Sequence, residues 1–275
     1  MAYTTVSRFV DHIPYCRQEQ INARSGVHTP RSTLASWSGQ AGAALLLLCA
    51  AHREFVLSCE VVHADETPMA MLDPGAGKTK RAYIWAYARG GFDVSPGVVY
   101  KFCQGRGAKY PLEFLKGWLD TLISDGYGAY DQVLKQESRV GPACFAHARR
   151  RFDELVKNNL SPVGTQAIQR ITALYQIERQ VKGFTAEDRL VIRQSSSKPL
   201  CEDLHPWFKL ERQRRPEGGA TAKAINYSLN RWQALTTYLA DGNVQIDNTI
   251  KKWLRPLFCV YLMAATPIRM PIITG

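Results

Sequence analysis

The stretch VVHADETPMAML, residues 61–72, sets two acids, Asp65 and Glu66, inside a run that otherwise reads as a buried strand. A buried carboxylate without a partner carries a large desolvation cost, so an acid in this position needs a task. A second acid, Asp125, closes the strand-like segment TLISD and is followed by the strand-breaking GYG. If the two strands are neighbours, the carboxylates of Asp65 and Asp125 emerge close together. Left alone they repel and one pKa rises; a divalent cation relieves that repulsion. Hard oxygen ligands suit Mg²⁺, and pairs of such ions clamp the attacking and leaving oxygens of phosphoryl transfer. The pattern is equally met if Asp125 merely opens the turn and Asp65 caps a bulge. Spacing alone leaves the two readings open.

Other stretches invite chemistry less strongly. DPGAGKTK resembles a phosphate loop, but the first glycine of that motif falls on Leu72, and RAYIWAYA behind it has strand character where a helix is required. It reads as a hairpin turn. Cys144 and His147 stand three apart in CFAHARRRF, yet no second ligand pair accompanies them, so helix packing and a hydrogen bond explain them better than a metal. The arginines behind them, Arg149, Arg150 and Arg151, and the cluster KLERQRR with Arg212, Arg214 and Arg215, suit phosphate contacts because guanidinium forks match phosphate oxygens. Each cluster is also compatible with a solvated helix face.

The elements that must position these residues can be read from periodicity. Residues 1–56 look helical: Val6, Phe9, Val10 and Ile13 follow helical spacing, and Ser32 or Thr33 can cap a second helix through the Leu-rich run to Phe55. Packing helices account for this segment better than a helix-turn-helix reader. From 57 to 125 the period changes to that of strands, VLSCEVVHADETPMAML, AYIWAYARG, GVVYKFC and TLISD, with a short helix in YPLEFLKGWLD. Beyond 140, CFAHARRRFDELVKN, GTQAIQRITALYQIERQVKGF and KAINYSLNRWQALTTYLADG read as helices, and SSSKPLCEDLHPW as a connection. Hairpin strands, a helix and a further strand make a mixed α/β sheet.

With 275 residues the chain can bury a sizeable core. Its formal charge of +11 points to polyanionic partners, nucleic acid first. The seven scattered cysteines form no CxxC pair, which suits a reducing cytoplasm. AGAALLLLCAA, the most apolar stretch, falls short of the roughly 20 residues a membrane span needs. No membrane partner is expected.

The blocks HADETPMAMLDPGAGKTKRAYIWAY, SDGYGAYDQVL, CFAHARRRFDEL and INYSLNRWQALTTYLADGNVQIDN, with DHIPYCRQEQ and STLASW before them, resemble the transposases of the insertion sequence 66 family in order and spacing from about Val6 to Pro256. The resemblance implies an α/β, ribonuclease-H-like mixed sheet core of the DDE class, in which three acids bind Mg²⁺ or Mn²⁺ and DNA strands are cut and joined. It implies a helical segment over 1–56, a catalytic domain over 57–256 with a helical insertion at about 140–240, and a divergent tail over 257–275. By motif match Asp65 and Asp125 are the first two catalytic, metal-binding acids, with Glu66 as an alternative ligand to Asp65. The implied partners are DNA, both element ends and target, and other copies of transposase. Two departures stand out. Relatives carry a longer N-terminal region, so an end-binding segment is expected to be missing here. The third acid follows an Asp-Asn-Asn motif, whereas this chain reads IDNTIKKWLRP, with Lys251 at the expected position. Asp247, one helical turn or roughly 6 Å away, is the nearest remaining acid. The tail LFCVYLMAATPIRMPIITG reads as frameshifted or decayed. The expectation is an impaired or inactive transposase; the alternative is a non-catalytic DNA-binding remnant.

Overall fold

A computed structural model describes residues 1–73, 75–135, 141–159 and 161–248; Lys251 and the 257–275 tail lie outside them. The first sixty residues form four helices, α1 (Ala2–Phe9), α2 (Tyr15–Arg24), α3 (Arg31–Ala44) and α4 (Leu46–Leu57). The sequence predicts longer ones. Pro14 and Pro30 stand immediately before α2 and α3, where a fixed φ and a missing N–H suit a helix start. Pro30 therefore opens α3, ahead of Ser32 and Thr33. The α3–α4 junction is bent by 45°, and no single helix among the described residues is long and apolar enough to cross a membrane.

Four strands follow: β1 (Val61–Leu72), β2 (Thr79–Arg89), β3 (Val98–Cys103) and β4 (Thr121–Ile123). Their order is β3-β2-β1-β4. β1 pairs antiparallel with β2, and β2 with β3, while β1 pairs parallel with β4. Gly75 and Gly77 turn the β1–β2 hairpin at φ of 90° and 64°, a region closed to most side chains. The DPGAGKTK stretch is thus a turn, as its sequence predicts. α5 (Lys109–Phe114) lies in the crossover from β3 to β4. Trp118 Nε1 donates to the Cys59 carbonyl at 2.9 Å, and Thr121 N donates to the Glu60 carbonyl at 2.9 Å. These two bonds seat β4 against the start of β1. Hairpin strands, a crossover and a parallel fourth strand give the mixed sheet of a ribonuclease-H-like core.

Alternation along the strands gives the sheet two faces. On one, Val62, Ala64, Trp85, Tyr87, Val99 and Leu122 pack with α5 and α6 (Gly128–Leu134). The GYGAY stretch therefore turns helical directly after its glycines. On the other face, Val61 and Ile123 join a helical layer made of α7 (Phe145–Asn159), α8 (Pro162–Gln180), α9 (Ala186–Ile192), α10 (Lys198–Gln213), α11 (Ala220–Asn230) and α12 (Trp232–Thr236).

Two helical expectations need correction. SSSKPLCEDLHPW, read as a connection, is a π-turn (Arg193–Ser197) running into α10. Cys201, Leu204 and Phe208 bury one stripe at helical spacing, and this tertiary burial outweighs the serines and Pro206. The last long helix is broken at Arg231, whose φ of −112° separates α11 from α12.

Arg193 is fully buried within the helical layer. Its Nε and Nη2 donate to Glu178 at 2.8 and 2.6 Å, and its Nη1 donates to the carbonyls of Tyr238, Asp241 and Val244. Removing one partner of such a buried pair leaves the other charge unsolvated. Arg193→Met is expected to lower the unfolding free energy by about 3–5 kcal/mol, read from urea midpoints. A loss within the usual surface range would show that Glu178 and the carbonyls find other partners.

Candidate active site

Asp65 lies in β1 and Asp125 just past the end of β4. The parallel register runs from Val61 beside Thr121 to His63 beside Ile123, where β4 ends; Asp65 and Asp125 each lie two residues further along their chains. Alternation along β1 turns Asp65 to the same face as Val61 and His63, toward the helical layer. On the other side of Asp65, β2 offers only Ala86, a small side chain that leaves the carboxylate room. Asp125 Oδ1 accepts the Tyr127 amide at 2.9 Å, so the turn after β4 is held by the acid itself. The positive φ of Gly126, 78°, completes that turn. Asp125 thus opens the turn, as one reading of its sequence has it.

Glu66 points the opposite way. It is buried, accepts Arg106 Nε at 2.8 Å and the Tyr130 hydroxyl at 2.9 Å. Burial raises its pKa, the Arg106 hydrogen bond opposes that rise, and the negative charge of Asp125 adds to it. The Arg106 guanidinium lies 3.7 Å from the Tyr127 ring centre, and the Tyr127 hydroxyl donates to the Arg106 carbonyl. Glu66 thus braces the β4–α6 turn from behind the sheet.

Asp247 is enclosed by the helical layer. Its Oδ1 accepts the Tyr175 hydroxyl at 2.5 Å and the Ala146 amide at 2.8 Å, and the Cys144 thiol lies 3.7 Å away. Burial raises its pKa, with those hydrogen bonds opposing. Cys144 Sγ also accepts the Asn248 amide, and burial pushes the thiol up to about 12. It is a protonated packing thiol, in line with the packing reading of CFAH. Asn248 reaches the sheet: Nδ2 donates to the Ala64 carbonyl at 2.7 Å, and Oδ1 lies 3.1 Å from His63 Nδ1. A carbonyl oxygen accepts, so His63 carries its proton on Nδ1. Asn248 is therefore fastened to β1 next to Asp65.

The arginines of the two basic clusters differ in their partners. Arg149 and Arg150 reach Asp153 and Glu154 along α7, while Arg212 reaches Glu217 and Arg214 and Arg215 share Glu211. Arg151 instead lies over the Tyr227 ring at 4.0 Å. Tyr227 and Arg231, not singled out by sequence, stand at Asp125: the Tyr227 hydroxyl donates to the Asp125 carbonyl at 3.4 Å and Arg231 Nη2 to the Gly126 carbonyl at 2.8 Å. A Cβ on Gly126 would collide with Arg231 Nη1. Arg106 and His63 were also missed; a cation between glycines in QGRG and a histidine inside a buried strand were the available signals.

Residues 1–257 match the family described as transposase IS66 family. The chain belongs to the IS66 family of transposases. Two uncharacterized proteins of Sinorhizobium fredii are similar to it: y4qI, 37% identical over 268 residues, and y4jD, 33% identical over 261 residues. These alignments take in 93% and 90% of this chain but 50% and 51% of the relatives, so the chain spans about half their length. DDE transposases typically use a divalent metal. Asp65 and Asp125 suit such a hard ion in kind, but among the described residues no group of three or more His, Cys, Asp or Glu side chains could hold one.

His63 gives the site a pH signature. Burial pushes its pKa down to about 4, against the pull of hydrogen bonds with Asn248 and Gln245. In the unfolded chain it titrates near 6.5, so between these values the unfolded state binds the extra proton. The stability tied to neutral His63 is whole above about pH 6.5 and is lost as pH falls toward 4, by up to about 1.4 kcal/mol per unit. Glu66 and Asp247, whose raised pKa values act in the opposite sense, are common to a His63→Gln variant and cancel in the difference. The stability gap between parent and variant should therefore narrow from pH 7 to pH 4.5 in urea titrations. A constant gap would mean that His63 titrates as it does in water.

Proposed function

We propose that Asp65 and Asp125 are metal-binding carboxylates of a centre for DNA strand cleavage and transfer, and that Lys251 at the third acid's position leaves this chain impaired. The observation that supports the reading is the parallel register of β1 with β4, which ends at His63 and Ile123, two residues before each acid. Mg²⁺ or Mn²⁺, when bound, supplies Lewis-acid stabilisation of a phosphoryl oxygen and a more acidic water or hydroxyl. The residues themselves hold hard oxygen donors at one point, keep Asp125 in its turn and brace that turn through Glu66 and Arg106. The net charge of +11 favours DNA, element ends and target alike, with Arg149, Arg150, Arg151, Arg212, Arg214 and Arg215 as backbone contacts. Their carboxylate neighbours do not oppose this, because exposed ion pairs are weak and open readily. Further copies of transposase are the proposed protein partners. The free thiols of Cys16, Cys49, Cys59, Cys103, Cys144 and Cys201 suit a cytoplasmic setting.

The second reading, a DNA-binding remnant without chemistry, is favoured by the commitment of Asp247 to Tyr175 and Ala146. An acid so engaged is a poor substitute ligand. A supercoiled-plasmid nicking assay with Mg²⁺ or Mn²⁺ separates the readings. The unaltered chain is expected to nick weakly or not at all, and Lys251→Glu to raise nicking at least tenfold, with Asp65→Ala and Asp125→Ala each abolishing the gain. Strong nicking by the unaltered chain that both alanine variants abolish would show that a ligand is supplied from elsewhere. No gain in Lys251→Glu would favour the remnant.

A further inference from the structure

We propose that Arg151, Tyr227 and Arg231 form a binding platform for a phosphodiester of one DNA strand, immediately beside Asp125. The proposal rests on the DNA-processing reading above and names a site within it. The Arg151 guanidinium lies 4.0 Å and that of Arg231 5.2 Å from the Tyr227 ring centre. Two cations share one aromatic ring, and among the described residues neither forms an ion pair with a carboxylate, unlike the other five arginines of the basic clusters. Ring and cation attract, the two guanidiniums repel each other, and an anion between them would relieve that repulsion.

The donors are placed for that anion. Arg231 spends one N–H of Nη2 on the Gly126 carbonyl, and a guanidinium has five N–H donors in a planar fork. Tyr227 is tied through its hydroxyl to the Asp125 carbonyl. The platform is therefore fastened to the turn that carries Asp125 and moves with it. A phosphodiester offers one negative charge and two non-bridging oxygens, which a guanidinium fork matches. The Tyr227 ring, half-buried and flanked by both cations, adds a flat surface against which sugar or base can rest.

The test is DNA affinity as a function of salt in EDTA, so that metal binding and cleavage play no part. A fluorescein-labelled duplex and a single strand of the same sequence serve as probes for the full chain. Each neutralised phosphate contributes about 0.9 to the slope of log K against log salt. Arg151→Ala and Arg231→Ala are each expected to flatten that slope by about 1, and the double variant by about 2. Lys80→Ala, which removes the same charge from the far end of the β1–β2 hairpin, should leave the slope unchanged. Arg151 makes no hydrogen bond among the described residues, so loss of binding there is not a by-product of a displaced turn. If the parent chain fails to bind DNA in low salt, the DNA reading itself falls. If the parent binds and both arginine variants match Lys80→Ala, the platform is overturned while the DNA reading stands. Displacement of the probe by inorganic phosphate, beyond that by chloride at equal ionic strength, would make this a free-phosphate site and overturn the strand assignment.

Discussion

Two consecutive carboxylates on a central strand cannot point the same way, because a strand turns successive side chains to opposite faces. Everything around the site follows from that constraint on Asp65 and Glu66. Glu66 enters the α5–α6 side, where it needs Arg106 and Tyr130 to be tolerated. Asp65 turns toward the helical layer, with Ala86 its neighbour across β2. Glu66 is thereby committed to the structure behind the sheet. A shift of register by one residue would exchange the two acids.

The helical layer has its own dependence on charge. Arg193, with Glu178 and three carbonyls, holds residues 238–244 in place, and Arg189 adds a bond to the Gly242 carbonyl. From there the chain passes directly to Asp247 and Asn248, which fix the start of α7 and the edge of Ala64. A buried guanidinium is expensive unless its donors are satisfied, and here Nη1 of Arg193, bonded to three carbonyls, also positions the backbone of residues 238–244. The π-turn that begins at Arg193 is the local adjustment that brings it inward.

The part of this arrangement legible in the sequence was the part governed by local pattern. The β1–β2 hairpin shows in alternation and in glycines able to take positive φ, and Asp65 and Glu66 show because acids inside a strand break its apolar rhythm. Helix α10 was hidden, since serines and two prolines mask a stripe of Cys201, Leu204 and Phe208 that only burial reveals. Arg151 was named as a phosphate contact, but its difference from Arg149 and Arg150 lies in Tyr227, more than seventy residues on. Tyr227 and Arg231 carry no local signature, because what distinguishes them is their approach to the carbonyls of Asp125 and Gly126. Contacts of such separation are made by packing, and packing is not written in spacing.

The bonds that close the helical layer have an architectural result. Ala143 N donates to the Ala234 carbonyl, Phe145 N to the Ile246 carbonyl, and Ala146 N to Asp247. The two ends of the intervening polypeptide are thereby stitched together at one spot on the sheet. Segments between them hang from that seam as a closed lobe, and the entropy of closing a loop grows only slowly with its length. Helices can be added to or trimmed from the lobe's far side without moving β1 against β4. The first amide of α7 to need a cap must also wait about a hundred residues for Asp247. The seam therefore cannot close before residues 234–247 have been made.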